Sequence, residues 1–361
     1  MRIGVVTNAY HPDIGGVETH ARRLCAALVA AGAEIEVLTQ DTDASVESLD
    51  GALVRRFPLT VRADNYRFSL GLWQWLRRNA DRYDVLHAHS YHALAALPAA
   101  LTNRTPLVFT PHYHGTGHSR LRAVLHPLYR PVGRRIVARS SRIICVTHAE
   151  REILLRHFPD AADRTVVIPN GTDPARGLAG RVVPAEPGRS ILCVGRLERY
   201  KGVDRVIRAM TRLPGDHRLD VVGAGPARAE LEQFAGRLGL ADRVVFHGRL
   251  SDDDFATRMA LAAAAVSASG QEAFGMAVAD ALAAGLPTVA SFIPAHRELA
   301  VMNGSAVPLW LVNPNDEGAL ADALRTAAAT PRAQVGQNAL PTWDDVVLAT
   351  REVYAAVVPR V

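Results

Sequence analysis

Short apolar runs alternate with amphipathic stretches from one end of the chain to the other, the pattern of buried parallel strands joined by covering helices. In the first half these runs predict strands at Ile3–Thr7, Ile35–Leu38, Val85–Ala88, Leu107–Thr110, Ile143–Val146 and Val166–Ile168. The alternation stops over Pro174–Ser190, where glycine and proline recur without helical periodicity. It resumes with strands at Ile191–Val194, Leu219–Val222, Val244–His247, Ala264–Ser267 and Thr288–Ala290. The spacing predicts an α/β chain of two Rossmann-like domains, residues 1–173 and 190–342, with a linker over 174–189 and a last helix over 343–361. A chain of 361 residues is long enough for two cores of ordinary size.

Composition narrows the class without changing that picture. With 48% hydrophobic and 21% charged residues, the chain reads as a soluble globular protein. No apolar run reaches the roughly 18 residues of a membrane span, and Met1–Asn8 reads as a buried strand rather than a signal peptide, so a cytoplasmic location is expected. Cys25, Cys145 and Cys193 are far apart, and two of them sit in strand-like runs, which suits buried small hydrophobes rather than a disulfide framework or a zinc cluster.

Charge is unevenly spread. Against a net charge of +5, no acidic residue occurs between Asp84 and Glu150, while Arg104, Arg120, Arg122, Arg130, Arg134, Arg135, Arg139 and Arg142 all lie there. Such a field attracts phosphate-bearing acceptors or an anionic membrane surface. The stretch Ser119–Arg142 also interleaves basic and apolar side chains as an interfacial helix does. No nucleic-acid-binding module accompanies it, so a nucleic-acid partner is not expected.

Of the 41 lysines and arginines, all but Lys201 are arginine. An ammonium is a compact point charge and a guanidinium a planar fork, so a site shaped for one rejects the other. Lys201 therefore reads as touching a small anion. Arg196 stands five residues earlier, directly after the strand-like run 190–194, and two cations at a strand's carboxyl end suggest a phosphate clamp. In open α/β sheets ligands collect at those ends. Gly15-Gly16, the His87-Ala88-His89 run, His112, Gly223-Ala224-Gly225, Arg249 and Glu272 all fall at or just after the carboxyl ends of predicted strands, so the expected active site is a cleft faced by both sets of loops.

The second strong element is Ser267–Pro287. Phe274 to Ala284 is helical in composition, Gly285 stops it, and Glu272 stands just before its first turn. Backbone N–H groups at Gly275 and Met276 would make an anion site at the positive end of the helix dipole. Asp280 would lie about 9 Å further along, at about 1.5 Å per residue. Two carboxylates flanking a phosphate site outline a nucleotide sugar.

At this point the chain resembles the retaining GT-B glycosyltransferases of glycosyltransferase family 4 over nearly its whole length. The resemblance is carried by Gly15-Gly16-Val17-Glu18, Asp84–His89, Thr110-Pro111-His112, Ile168–Gly171, Gly195-Arg196 through Lys201-Gly202, Gly223–Pro226 and Glu272–Asp280. It implies that Arg196 and Lys201 neutralise the departing donor diphosphate. Glu272 would hold hydroxyls of the donor sugar, with amides of Phe274, Gly275 and Met276 beside it. Asp280 would accept the ribose diol, where the family usually has glutamate, so its reach is shorter. Gly15 and Gly16 would let the first domain's backbone approach the phosphates, His112 would sit near the sugar, and Arg249 would line the base. Trp343–Val358 is similar to the family's last helix, which crosses back to the first domain.

The implied reaction moves a hexosyl-type sugar from a UDP- or GDP-sugar to a hydroxyl acceptor, phosphate-bearing or lipid-linked. No carboxylate pair is placed for double displacement, so front-face substitution is expected, driven by charge stabilisation on the leaving phosphate. No clustered carboxylates are placed to hold a divalent ion, so no metal cofactor is expected. The rival readings are a metal-dependent hydrolase built on His87, His89 and His112, and a GT-B sugar-nucleotide epimerase or phosphorylase. Asn170 and Glu18 read as a turn former and a helix cap.

Overall fold

The computed structural model describes residues 1–13, 15–61, 67–91, 93–102, 104–113, 120–173, 189–334 and 339–358, with the backbone alone at 120–129. Residues 174–188 of the expected linker lie outside the described residues, as do His92, His114, His118 and Ser119. The chain divides into two compact units, Met1–Gly171 with Pro341–Val361, and Thr172–Leu340.

In the first unit the strands are β1 Arg2–Val6, β2 Glu34–Asp41, β3 Ser45–Leu49, β4 Ala52–Pro58, β5 Val85–His89, β6 Leu107–Thr110, β7 Arg142–Cys145 and β8 Thr165–Val167. They form one sheet in the order β3-β4-β2-β1-β5-β6-β7-β8, parallel except for the β3/β4 hairpin. Helices α1 Gly16–Ala30, α2 Leu70–Asn79, α3 Ala96–Leu101, α4 Arg120–Arg139 and α5 His148–His157 connect the strands. The parallel strands read as continuous apolar runs because both of their faces are covered; β5, for one, is buried at all five positions.

The hairpin was not among the predicted strands, and its turn explains what the apolar pattern missed. Asp50 and Gly51 join β3 to β4 with φ of 50° and 80°, the pair of positive values that a two-residue type I′ turn requires and that Asp-Gly favours. β3 is exposed along four of its five residues, so it carries no hydrophobic signal.

The second unit follows with β9 Ser190–Val194, α6 Val203–Met210, β10 Arg218–Val222, α7 Arg228–Arg237, β11 Val244–Gly248, α8 Asp252–Leu261, β12 Ala264–Ser267, α9 Met276–Ala283, β13 Thr288–Ser291, α10 Pro294–Asn303, β14 Leu309–Val312 and α11 Glu317–Ala329. Its strand pairs are all parallel, in the order β11-β10-β9-β12-β13-β14. In order of appearance that is 3-2-1-4-5-6, the doubly wound Rossmann order. β14 is an additional strand whose four residues are all only half-buried, which is why its pattern does not stand out.

The last helix, α12 Trp343–Ala355, belongs to the first unit and packs on α1. A capping box starts it: the Thr342 hydroxyl accepts from the Asp345 amide at 3.2 Å, and the Asp345 carboxylate accepts from the Thr342 amide at 2.8 Å. Gly171 makes the docking possible, since a Cβ there would stand 2.7 Å from the Trp343 nitrogen. The Ile168–Gly171 motif is thus, in part, the seat of this helix. Among the described residues, no helix is long and apolar enough to cross a membrane.

Candidate active site

In the second sheet the strand order reverses between β9 and β12, and a ligand crevice opens outside the carboxyl ends at such a switch point. Lys201 follows β9 and Glu272 follows β12. Their side chains meet there, Lys201 Nζ donating to Glu272 Oε1 at 2.6 Å, with 18% and 17% of each side chain exposed. Burial pulls the ammonium's pKa down, but the Glu272 carboxylate outweighs it and the net shift is upward. For Glu272 burial pushes up, and Lys201 carries the net value below the ordinary carboxylate range. Both groups are held charged at neutral pH.

Backbone contacts place this pair. Gly202 has a left-handed φ of 64°, and a Cβ on it would stand 2.3 Å from the Ala268 carbonyl, so only glycine lets the loop after β9 lie against the loop after β12. The Gly270 amide donates to the Tyr200 carbonyl at 2.7 Å across the same seam. Gly223 and Gly225 do likewise for the loop after β10, where side chains would strike the Gly195 and Leu197 carbonyls at 1.9 and 2.4 Å.

The remaining second-unit residues take definite places. Arg196 is half exposed and pairs with Glu198 at 2.8 Å. Tyr200 feels both of these charges as well as Lys201 and Glu272, which puts the four in one neighbourhood; burial is the main cause of its raised pKa. Arg249 is exposed after β11, at the sheet edge.

α9 begins at Met276, two residues later than its composition suggested. Gly275 is its N-cap with φ 97°, and a Cβ there would meet His296 at 3.0 Å. The Phe274 ring is a core residue, 2% exposed, so a ligand could meet only its main chain. Asp280 is the one charged residue on α9 and is half-buried. It stands five residues from the N-cap, about 7.5 Å along the axis.

In the first sheet the order reverses between β1 and β5, and a histidine cluster gathers at the carboxyl ends there. His89 ends β5, His112 follows β6 with a left-handed φ of 47°, and His20 comes from α1, the helix after β1. His89 Nδ1 lies 3.5 Å from His112 Nε2, and one ring nitrogen from each of His20, His89 and His112 falls within 4.8 Å of the others. All three are buried. Burial lowers the His20 pKa to about 4, opposed by the Asn170 side chain. Burial, with help from the neighbouring rings, takes His89 well below its usual value.

The trio of the rival metal reading, His87, His89 and His112, is not the one that gathers. His87 has both ring nitrogens engaged, Nδ1 with the Tyr354 hydroxyl at 2.7 Å and Nε2 with Thr110 Oγ1 at 2.8 Å. The Tyr354 contact reaches 267 residues along the sequence, which no local pattern could reveal. His20 takes the third place in the cluster; its signal was a histidine one turn into the helix after Gly15-Gly16. Glu150, also unanticipated, is buried and accepts from the amides of Tyr113 at 2.5 Å and Val146 at 2.6 Å, fixing the chain just after His112. Gly15 is the N-cap of α1, and a Cβ on Gly16 would meet nothing, so packing does not explain glycine at 16.

The basic stretch is described at its side chains only from residue 130. There Arg130, Arg134 and Arg135 are exposed, while Ile136 and Val137 lie in the core. Ile136 and Val137 of that half of α4 are therefore spent on the protein itself, while Arg130, Arg134 and Arg135 face outward along with Pro131 and Ala138.

Comparison with known proteins gives a consistent result. The Glycosyltransferase Family 4 profile matches residues 14–176, and the Glycosyl transferases group 1 profile matches 181–340. The chain is 30% identical to a glycogen synthase of Mycobacterium tuberculosis, over 99% of this chain and 95% of that one. It is 29% identical to a D-inositol 3-phosphate glycosyltransferase of Xylanimonas cellulosilytica, over 96% and 93%. Among solved structures, the sucrose-phosphate synthase of Thermosynechococcus elongatus is similar with a TM-score of 0.77 at 24% identity, covering 98% of each chain. Anabaena HepE in complex with UDP-glucose is similar with a TM-score of 0.77 at 20% identity, covering 99% and 100%. Two Rossmann-like units, matched by both family profiles along nearly the whole sequence, make the chain a member of the family 4 glycosyltransferases, of GT-B fold.

Proposed function

We propose that this glycosyltransferase moves a hexosyl-type sugar from a UDP- or GDP-sugar to a hydroxyl acceptor, with retention of configuration and without a metal ion. The observation that carries the reading is the Lys201–Glu272 pair at the switch point of the second sheet. Without ligand, each charge satisfies the other. A donor would supply diphosphate oxygens to Lys201 and sugar hydroxyls to Glu272, so neither charge would be left buried and unpaired.

Lys201 and Arg196 then neutralise the departing diphosphate, and the start of α9 adds its dipole. Asp280 accepts from the ribose, and Arg249 lies toward the base. No glycosidase-like carboxylate pair is invoked, so the incoming hydroxyl attacks from the face the diphosphate leaves. The UDP-glucose bound to Anabaena HepE agrees with a nucleotide-sugar donor. The name of the D-inositol 3-phosphate glycosyltransferase agrees with a phosphate-bearing acceptor. The exposed arginines of α4 suit either such an acceptor or peripheral contact with an anionic membrane, in a cytoplasmic protein.

A thermal-shift panel of UDP, GDP and their hexose conjugates tests the donor. The correct one at about a hundred times its Kd should stabilise the protein by about 2.7 kcal/mol. Lys201→Ala should lower turnover at least about a hundredfold. A panel without any shift, or an unchanged rate in that variant with a verified donor, would refute the reading. Transfer should also persist in chelator; loss that magnesium or manganese restores would remove metal independence.

A further inference from the structure

The histidine cluster of the first unit has a geometry that glycosyl transfer does not call for. Two nitrogens bound to one tetrahedral zinc at about 2.0–2.1 Å stand about 3.4 Å apart. His89 Nδ1 and His112 Nε2 are 3.5 Å apart, long for a hydrogen bond and close to that ligand separation. His20 brings a third nitrogen within 4.8 Å of both.

The backbone also holds this arrangement at a cost. His112 is one of three non-glycine residues with positive φ among the described residues, a conformation that persists only where its surroundings impose it. The imposing groups are visible: Glu150 fixes the next amide, and the His20 ring lies edge-on to His112 with centroids 4.9 Å apart. Behind His89 stands His87, its ring centroid 4.3 Å away and its own nitrogens tied to Tyr354 and Thr110, so the ligand ring has a fixed backing.

We propose that His20, His89 and His112 form a binding site for one zinc-class divalent ion, with the fourth coordination position open. Three imidazoles and no carboxylate favour zinc, cobalt, nickel or copper over magnesium and calcium. Closing the trio onto an ion requires its nitrogens, which lie within 4.8 Å of one another, to draw in to about 3.4 Å. Loading would also bind up the His112 ring. On the glycosyl-transfer reading, which places His112 at the sugar, the loaded protein transfers more slowly, and unchanged turnover with the ion bound overturns that consequence.

Titration of the chelator-stripped full chain with Co²⁺ tests the site without reference to transfer, because four-coordinate cobalt absorbs visibly. The band should saturate at one equivalent and vanish on adding Zn²⁺. His20→Ala and His89→Ala should each weaken cobalt binding at least about tenfold while the circular dichroism is unchanged. No band with the wild-type protein overturns the proposal, as does a band of unchanged affinity in both folded variants. Imidazole ¹H–¹⁵N spectra of the wild-type protein with Zn²⁺ decide the matter if a variant fails to fold. Shifts at the buried rings support the site, and shifts at exposed histidines alone overturn it. A null result here leaves the donor experiment untouched, so the two readings fail separately.

Discussion

At the scale of single residues, the candidate site depends on charges kept charged while largely out of water. Lys201 and Glu272 do this for each other, and their opposite shifts set a pH window. Glu272 is lowered, so its share of stability is present above the ordinary carboxylate value near about 4.3 and is lost as pH falls through its folded value. Lys201 is raised, so its share holds below about 10.4 and is lost as pH rises through its folded value. The thermal midpoint gap between wild type and the Lys201→Met/Glu272→Gln double variant should therefore stay flat from about pH 6 to 9 and change on the acid side of about pH 4. A gap that drifts steadily across neutral pH would contradict the assigned charge states. The lone lysine singled out position 201 in a chain that otherwise uses arginine, and the fold pairs its ammonium with Glu272. His20 left no such mark, because its role arises from where α1 brings it.

At the scale of elements, glycines decide how closely loops may approach. Gly202 is the sharpest case, with its left-handed backbone and the Ala268 carbonyl where a side chain would go. Gly202→Ala should push apart the loops after β9 and β12 and displace Lys201 from Glu272. A shift of about 1 Å at a reacting site can cost about a hundredfold in rate, so turnover should fall by that order while Lys201 itself is intact; steady-state kinetics on the folded variant would check it. The β3/β4 hairpin depends on the same freedom at Gly51, where φ is 80° and a Cβ would meet Val29 at 2.7 Å. Gly51→Ala should cost about 1–2 kcal/mol from the left-handed backbone alone, read by denaturant unfolding. Eleven of the parallel strands were visible as apolar runs, whereas β3 and β14 are exposed or half-buried and β4 mixes buried with exposed positions, so none of these three carried such a run.

At the scale of the whole molecule, the eight arginines between Asp84 and Glu150 create a basic region whose described helical part shows Arg130, Arg134 and Arg135 outward. If those charges meet an anionic surface, each contributes about 1 kcal/mol and is screened by salt. Sedimentation with anionic vesicles should show binding at low ionic strength that the triple Arg→Glu variant loses; absence of binding at low salt removes the membrane partner. Read from residue order alone, the chain already specified two Rossmann-like parallel-sheet units and singled out a lone lysine, an arginine five residues before it and a carboxylate ahead of a helix. Those features are local, since apolar periodicity, a glycine stop or an odd residue type needs no partner to be recognised. Folding had to supply the joining of Lys201 to Glu272 across 71 positions, the exchange of His87 for His20 in the histidine cluster, and the grip of Tyr354 on His87. Each depends on which strands become neighbours at a switch point, and strand adjacency comes from the long-range packing of the sheet rather than from any run of residues within it.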